Sequence, residues 1–473
     1  MPETELDLVV LGGGTGGYVA AIRASQLGLR VAVVEKDKLG GTCLHRGCIP
    51  SKALLRSAEL MAQMKESADF GIEVTGLEFQ LTTAMARKEK VVAQLHRGVE
   101  FLMKKHEIRV IRGIGRVMGP SIFSPQSGAV SVEYSDGETE ILSPRFTLIA
   151  TGSKPNTLPG LTLDGMRVVS SDDALEWAEL PSSLAIIGGG AIGIEWASML
   201  SDFGVDVTVL EFMPRILPLE DEEISREVHR ALSSRGVHVV TGAKVLPEQM
   251  RTSEVVTLTY EQNGQTVELS VDKVLVAVGR TPVVENIGIE ATEIKLERGA
   301  IQVDTDYRTA EENIFAIGDV IGGIQLAHVA AHEGIHAVEV MSGRSPRPLL
   351  SEHIPRCTYS RPEVASIGWT EAEATKRGHR VKVGKFPFQA IGKALVHGDG
   401  SGFAKVVADA ETEDILGVHL VGPHATDLIS EASLAMVLNA TPWEIAHTIH
   451  PHPTLAEVLG EAALAVDGRA IHA

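Results

Sequence analysis

Apolar residues in this chain fall into two patterns. Short unbroken runs, LDLVVLG at 6–12 and RVAVVE at 30–35, suit strands buried on both faces. Between them the residues after Gly17 run to Gln26 without a breaker and predict a helix, with Gly28 as the stop. The same order returns as LAIIGG at 184–189, a helix to about Phe203, Gly204, and DVTVLE at 206–211. SKALLRSAELM at 51–61 and LAEVLGEAALA at 455–465 predict further helices. SKPNTLPG (153–160) and SGRSPRPLL (342–350) read as linkers. Strand, helix and strand in repeated succession predict an α/β chain with parallel sheets.

In each copy a glycine loop joins the first strand to the helix: Gly12-x-Gly14-x-x-Gly17 and Gly188-x-Gly190-x-x-Gly193. The first glycine makes the tight turn, the second admits a pyrophosphate against the backbone, and the third lets helix pack on strand. Free N–H groups at the helix start then face the phosphates. Eighteen residues separate Gly17 from Glu35 and Gly193 from Glu211 alike, which sets an acid where a ribose diol would lie. Two Gly-rich turns in ordinary α/β units are the plain alternative, and the matched spacing argues against it. The chain therefore reads as two Rossmann-like domains binding two dinucleotides. Glu211 favours NAD over NADP by repelling a 2′-phosphate, although Arg215 stands four residues on.

At 473 residues the chain exceeds one core and suggests about three domains. Its net charge of −19 argues against nucleic acid, for which no basic face is available. MPETELDLVV lacks a basic start and a cleavable apolar stretch, so no signal peptide is expected, and no apolar run is long enough to span a bilayer. Three cysteines make no extracellular disulfide framework, and a reducing cytoplasm is the expected location.

Two of those cysteines lie in GGTCLHRGCIPSK, residues 40–52. Cys43 and Cys48 could be a staple, metal ligands or a redox couple. A staple is disfavoured in the cytoplasm. Zinc would need ligands such as His447, His450 and His452, which come from a distant segment without paired spacing. Near the start of the helix that Pro50 opens, a thiolate pKa would be lowered by the dipole and by Arg46 or Lys52, which favours the redox couple. Cys357 stands alone and reads as a small buried residue.

GGTC-x4-C-IPSK resembles the active-site signature of the FAD-dependent pyridine nucleotide–disulfide oxidoreductases, and IPSK is most similar to its dihydrolipoamide-oxidising branch. The likeness spans the chain. TLIATGS (147–153), VLVAVGRTP (274–282), TAEENIFAIGD (309–319), PRCTYSRPEVASIG (355–368) and HPHPTLAE (450–457) resemble further family landmarks in their order. The resemblance implies an FAD domain at 1–150, an NAD domain at 151–277, a central domain at 278–347 that completes the FAD site, and a C-terminal α+β dimerisation domain at 348–473. It implies FAD at Gly12, Gly14, Gly17, Glu35, Lys52, Gly115, Thr151, Gly152, Ser153, Asp319 (on the ribitol), Leu326, Ala327 and His328. It implies NAD at Gly188, Gly190, Gly193, Glu195, Glu211, Val245 and Gly279. Electrons would pass from a lipoyl-lysine dithiol through a Cys43–Cys48 disulfide and FAD to NAD⁺. The implied partners are a second copy of the chain, with no membrane, and the lipoylated acyltransferase of a 2-oxo acid dehydrogenase complex. His45-Arg46, where many relatives carry Asn-Val, resembles a pair in members serving branched-chain complexes.

A dithiol substrate needs a base near neutrality, and His is the natural choice. In the family the residue matching His452 is that catalyst, reaching the other subunit's cysteines, and the one matching Glu457 orients it. Thr454-x-x-Glu457 is also a capping box for the last helix, which alone would explain Glu457. Lys52 and Glu195 match a pair that meets beside the flavin. Glutathione and mercuric reductases are the alternatives within the class, disfavoured by Glu211 and by a C-terminus, AVDGRAIHA, without cysteines. A non-catalytic redox sensor is the alternative of another class, and no partner-reading module appears for it.

Overall fold

A computed structural model describes residues 6–120 and 127–472; the first five residues, on which the expectation of no signal peptide partly rests, lie outside the described residues. The chain divides into two units that interleave in sequence. One takes residues 1–53, 82–156 and 280–349, and the other 54–81, 157–279 and 350–473.

The first unit is built on a five-stranded parallel sheet. Its strands are β1 (Leu8–Leu11), β2 (Val31–Glu35), Arg109–Arg112, Phe146–Ile149 and Ile314–Ala316. β1 lies in the middle, between β2 and Phe146–Ile149, and Ile314–Ala316 joins the outer edge from far along the chain. Every residue of β1 is buried, as its unbroken apolar run predicted. Alternate side chains serve the two faces. Leu8 and Val10 pack with Ala20, Ala24 and Phe315, while Val9 and Leu11 pack with Val130 and Ile289. Helix α1 (Thr15–Gln26) crosses one face beside the helix Ala327–Met341. A three-stranded antiparallel sheet, 114–118, 129–133 and 139–142, covers the other.

The second unit holds three sheets among its described residues, a small antiparallel one of 244–245, 251–252, 256–262 and 265–271 besides the two larger ones. One is parallel, in the order His238–Thr241, Asp206–Glu211, Ser183–Ile187, Lys273–Val276, Val168–Ser170. It repeats the central βαβ arrangement of the first unit, with the helix Ala191–Asp202 in the place of α1. The other is antiparallel and formed by 356–358, 363–368, 415–422, 403–409 and 381–387. The helices Ala425–Val437 and Glu457–Ala465 pack on it around Phe386, Val418, Leu420 and Leu459. No helix among the described residues is long and apolar enough to cross a membrane.

Candidate active site

The two glycine loops share one design, and each glycine has its own physical reason. Gly12 and Gly188 sit at φ +103° and +110°, with backbone carbonyls 2.3 and 2.4 Å from where a Cβ would stand. A Cβ on Gly17 would lie 1.9 Å from the Gly12 carbonyl oxygen, and one on Gly193 2.0 Å from that of Gly188. Gly14 and Gly190 differ. They are the N-caps of their helices, neither supplies a capping side chain, and a Cβ on Gly190 would meet nothing within 4 Å. That leaves helix-start N–H groups beside open space, the cradle a pyrophosphate requires, so both loops fit a dinucleotide.

The two acids bind their own loops. Glu35 accepts the Gly13 N–H at 2.7 Å and the Asp37 N–H at 2.8 Å. Glu211 accepts those of Gly189 at 2.5 Å and Met213 at 2.6 Å. Each carboxylate thus braces the glycine loop from the end of the next strand. Arg215 donates to the Pro218 carbonyl at 2.9 Å within its own turn.

The cysteines lie against the first loop. Helix α2 (Gly41–Arg46) carries Cys43, and Cys48 is the first residue of helix α3 (Cys48–Lys65). The Gly40 N–H donates to the Gly13 carbonyl at 2.8 Å, and Gly14 bridges Gly40 as a strand would. A Cβ on Gly41, itself at φ +59°, would lie 2.6 Å from the Gly14 Cα. The paired glycines of GGTC are therefore what allows the cysteine segment to cross the nucleotide loop at backbone distance. Thr15, the first residue of α1, bonds Cys43 through its hydroxyl.

The two sulfurs form no disulfide in this structure and are hydrogen-bonded to each other. That bond and burial push the Cys43 thiol up, against the opposing pull of Lys52 and Thr15. The expectation of a lowered pKa is thus corrected for Cys43, while Cys48 stands as the first residue of α3. Arg46 pairs with Asp37, and His45 bonds the Leu39 carbonyl at 2.9 Å, so this pair is engaged within its own loop.

In the second unit His452 and Glu457 meet. His452 Nδ1 lies 2.8 Å from Glu457 Oε1, while Glu457 Oε2 accepts the Thr454 N–H at 2.9 Å. Orientation and half of the capping box are therefore both present. The other half is not, because the Thr454 hydroxyl donates to the Pro451 carbonyl and the helix begins only at Glu457. With Nδ1 engaged, Nε2 is the nitrogen left to exchange a proton.

A dithiol beside a dinucleotide loop, a second such loop and an oriented imidazole follow one another along the sequence, and comparison with known proteins agrees. The pyridine nucleotide-disulphide oxidoreductase model matches residues 6–334, and the dimerisation-domain model of that name matches 354–463. The chain belongs to the pyridine nucleotide-disulphide oxidoreductase family. It is 59% identical to a dihydrolipoyl dehydrogenase of Bacillus subtilis, with 99% of each chain covered. It is 42% identical to one of Zymomonas mobilis, with 98% and 99% covered. Among solved structures it resembles LpdA of Mycobacterium tuberculosis with a TM-score of 0.89, at 27% identity over 96% and 98% of the two chains. The HOCl-induced flavoprotein disulfide reductase RclA of Escherichia coli, as its Cu(II) complex, gives 0.86 at 27% identity over 98% and 99%.

Other residues expected to act in this oxidoreductase cluster within their units. Ser153 donates to Asp319 at 2.5 Å and receives Arg280 Nε at 2.7 Å, while the Thr151 hydroxyl donates to the Val283 carbonyl at 2.7 Å. Gly152 takes φ +72°. Gly115 packs on the tips of β1 and β2, where a Cβ would stand 2.6 Å from Leu11 and 3.0 Å from Val34. Leu326 is the N-cap of Ala327–Met341, so Ala327 and His328 present that helix start. Lys52 lies one turn beyond Cys48 in the first unit. Glu195 lies in the second, buried, accepting the Tyr359 N–H at 3.0 Å. Val245 places its side chain in the apolar core of the second unit, and Gly279 takes φ +99° in open space.

Sequence reasoning missed Arg280, Thr15 and Glu333. Glu333 accepts the Gly318 N–H at 2.7 Å next to Asp319, and burial pushes its pKa up to about 7. Thr15 lies inside Gly12-x-Gly14-x-x-Gly17 and Arg280 inside VLVAVGRTP, and that membership is the signal that could have found them. Nothing local marks Glu333. Among the described residues no cluster of three or more His, Cys, Asp or Glu is arranged to hold a metal ion.

Proposed function

We propose that the protein oxidises the dihydrolipoyl group of a lipoylated acyltransferase in a 2-oxo acid dehydrogenase complex, reducing NAD⁺ by way of FAD. The observation that carries this is the Cys43–Cys48 pair against the first dinucleotide loop. The name borne by its full-length relatives points to the lipoyl substrate, and the dimerisation domain supports a homodimer.

The residues divide the work as follows. In the oxidised protein Cys43 and Cys48 form a disulfide. His452 of one protomer, held at Nδ1 by Glu457, takes a proton from a dihydrolipoyl thiol at Nε2 and serves the cysteines of the other. The lipoyl thiolate attacks Cys43 Sγ, the Cys43–Cys48 bond breaks, and Cys48 leaves as a thiolate. The second lipoyl sulfur then displaces Cys43 from the mixed disulfide, which releases the oxidised ring. Gly12, Gly14, Gly17 and Glu35, with Thr151, Ser153 and Asp319, would hold FAD, while Gly188, Gly190, Gly193 and Glu211 would hold NAD. When bound, FAD would supply the two-electron acceptor beside the dithiol, and NAD⁺ the final hydride acceptor. Lys52 would help stabilise the negative charge of reduced flavin. The domain boundaries at 150, 277 and 347 are part of this proposal.

Steady-state NAD⁺ reduction tests it. Dihydrolipoamide should support turnover, and glutathione or mercuric ion should give rates lower by orders of magnitude in the corresponding assays. Turnover with glutathione disulfide and NADPH instead would replace this reading with the reductase alternative.

A further inference from the structure

The helix Glu457–Ala465 carries a glycine within its first turns, where alanine would favour the helix by about 1 kcal/mol. A Cβ on Gly460 would stand 3.1 Å from His450 Nδ1 and 3.2 Å from its Cε1. The imidazole of His450 fills the space a side chain would need. Its side chain is only 9% exposed, and its Nε2 lies 2.8 Å from Glu431 Oε1, on the helix Ala425–Val437. Glu431 is thus the anchor, His450 the wedge, and Gly460 the seat. The same helix begins at Glu457, the residue that holds His452.

We propose that Glu431 and His450 are positioning residues for proton transfer, fixing the start of the helix that carries Glu457 and hence the orientation of His452. The inference rests on the reading of His452 as the acid–base group, and deepens it. The charged groups acting on His450 are Glu431 from one helix and Glu457 from the other. The Glu431 bond raises the His450 pKa, and against burial the bonds from His452 and the Thr454 N–H, with a smaller pull from His450, hold the Glu457 carboxyl below its usual range. Glu457 is therefore kept ionised, the form that accepts the Nδ1 proton of His452.

The test separates packing from polar anchoring. His450→Phe keeps a ring over Gly460 but cannot bond Glu431. His450→Gln keeps a donor, and Glu431→Gln removes the charge at constant volume. Loss of one hydrogen bond to a charged group predicts a roughly 10-fold lower kcat with dihydrolipoamide for His450→Phe and Glu431→Gln. The KM for dihydrolipoamide and NADH-driven quinone reduction, which needs no thiol proton, should hold within about twofold, and His450→Gln should recover part of the loss. A wild-type kcat in His450→Phe overturns the proposal. If that variant fails to retain flavin, a wild-type kcat in Glu431→Gln overturns it instead. If the wild-type protein itself does not oxidise dihydrolipoamide, the functional reading fails separately. The positioning claim is then read from the ¹⁵N shifts of His452, whose bond to Glu457 the variants should loosen; unchanged shifts overturn it.

Discussion

Gly40 donates its N–H to the carbonyl of Gly13 at 2.8 Å, tying the cysteine segment to the turn that would carry a pyrophosphate. The sulfurs owe their place to this backbone contact, because Gly41 next to it passes Gly14 with no room for a side chain. Gly41→Ala must both strain a left-handed residue and push the segments apart. It should cost about 1–3 kcal/mol of stability and lower dihydrolipoamide turnover far more than quinone reduction by NADH. Denaturant melts and the two assays together check this; equal losses in both activities would show that the contact serves only folding.

His452→Gln should cut dihydrolipoamide turnover by ~10²–10⁴, the usual worth of general acid–base catalysis. Glu457→Gln should lose less, because the amide still reaches the ring. Quinone reduction should be unaffected by either. A near-wild-type rate in His452→Gln would make the histidine structural.

Acid sensitivity has a local source in the second unit. Lys405 is 2% exposed and pairs with Asp221, Glu223 and Glu371. Burial alone would raise the Asp221 pKa, but His419 and Lys405 outweigh it and hold the carboxyl below its usual range. That stability is fully present above the ordinary carboxylate pKa and is lost as pH falls through the lowered one. Lys405→Met strands the buried Asp221 charge and should cost ~3–5 kcal/mol. It should also move acid unfolding to higher pH. Thermal melts at neutral and acid pH report both, and an unchanged Tm would mean that the cluster is not the support assigned to it.

Much of this was legible because it is local. The glycine loops could be read because turn, helix start and strand are consecutive, and the unbroken run Leu8–Leu11 declared a buried strand. The parallel pairing of Ile314–Ala316 with Phe146–Ile149 could not, since it joins segments far apart in sequence. Glu35 and Glu211 were found by their spacing, but that they also brace Gly13 and Gly189 follows only from the folded loops. The raised Cys43 pKa escaped because helix-end position argues one way and a Cys48 hydrogen bond with burial argues the other. Local sequence cannot weigh a contact that folding creates.

The central claim is that Cys48 passes the electron pair of a dithiol substrate onward from beside the first dinucleotide loop. The most direct measurement is an anaerobic titration of the FAD-loaded protein with dihydrolipoamide, with and without NAD⁺, in wild type and in Cys48→Ser. The account predicts a long-wavelength absorbance in the two-electron-reduced wild type and one NADH per substrate when NAD⁺ is present, both absent from the variant. NADH formation at wild-type yield in Cys48→Ser would contradict it.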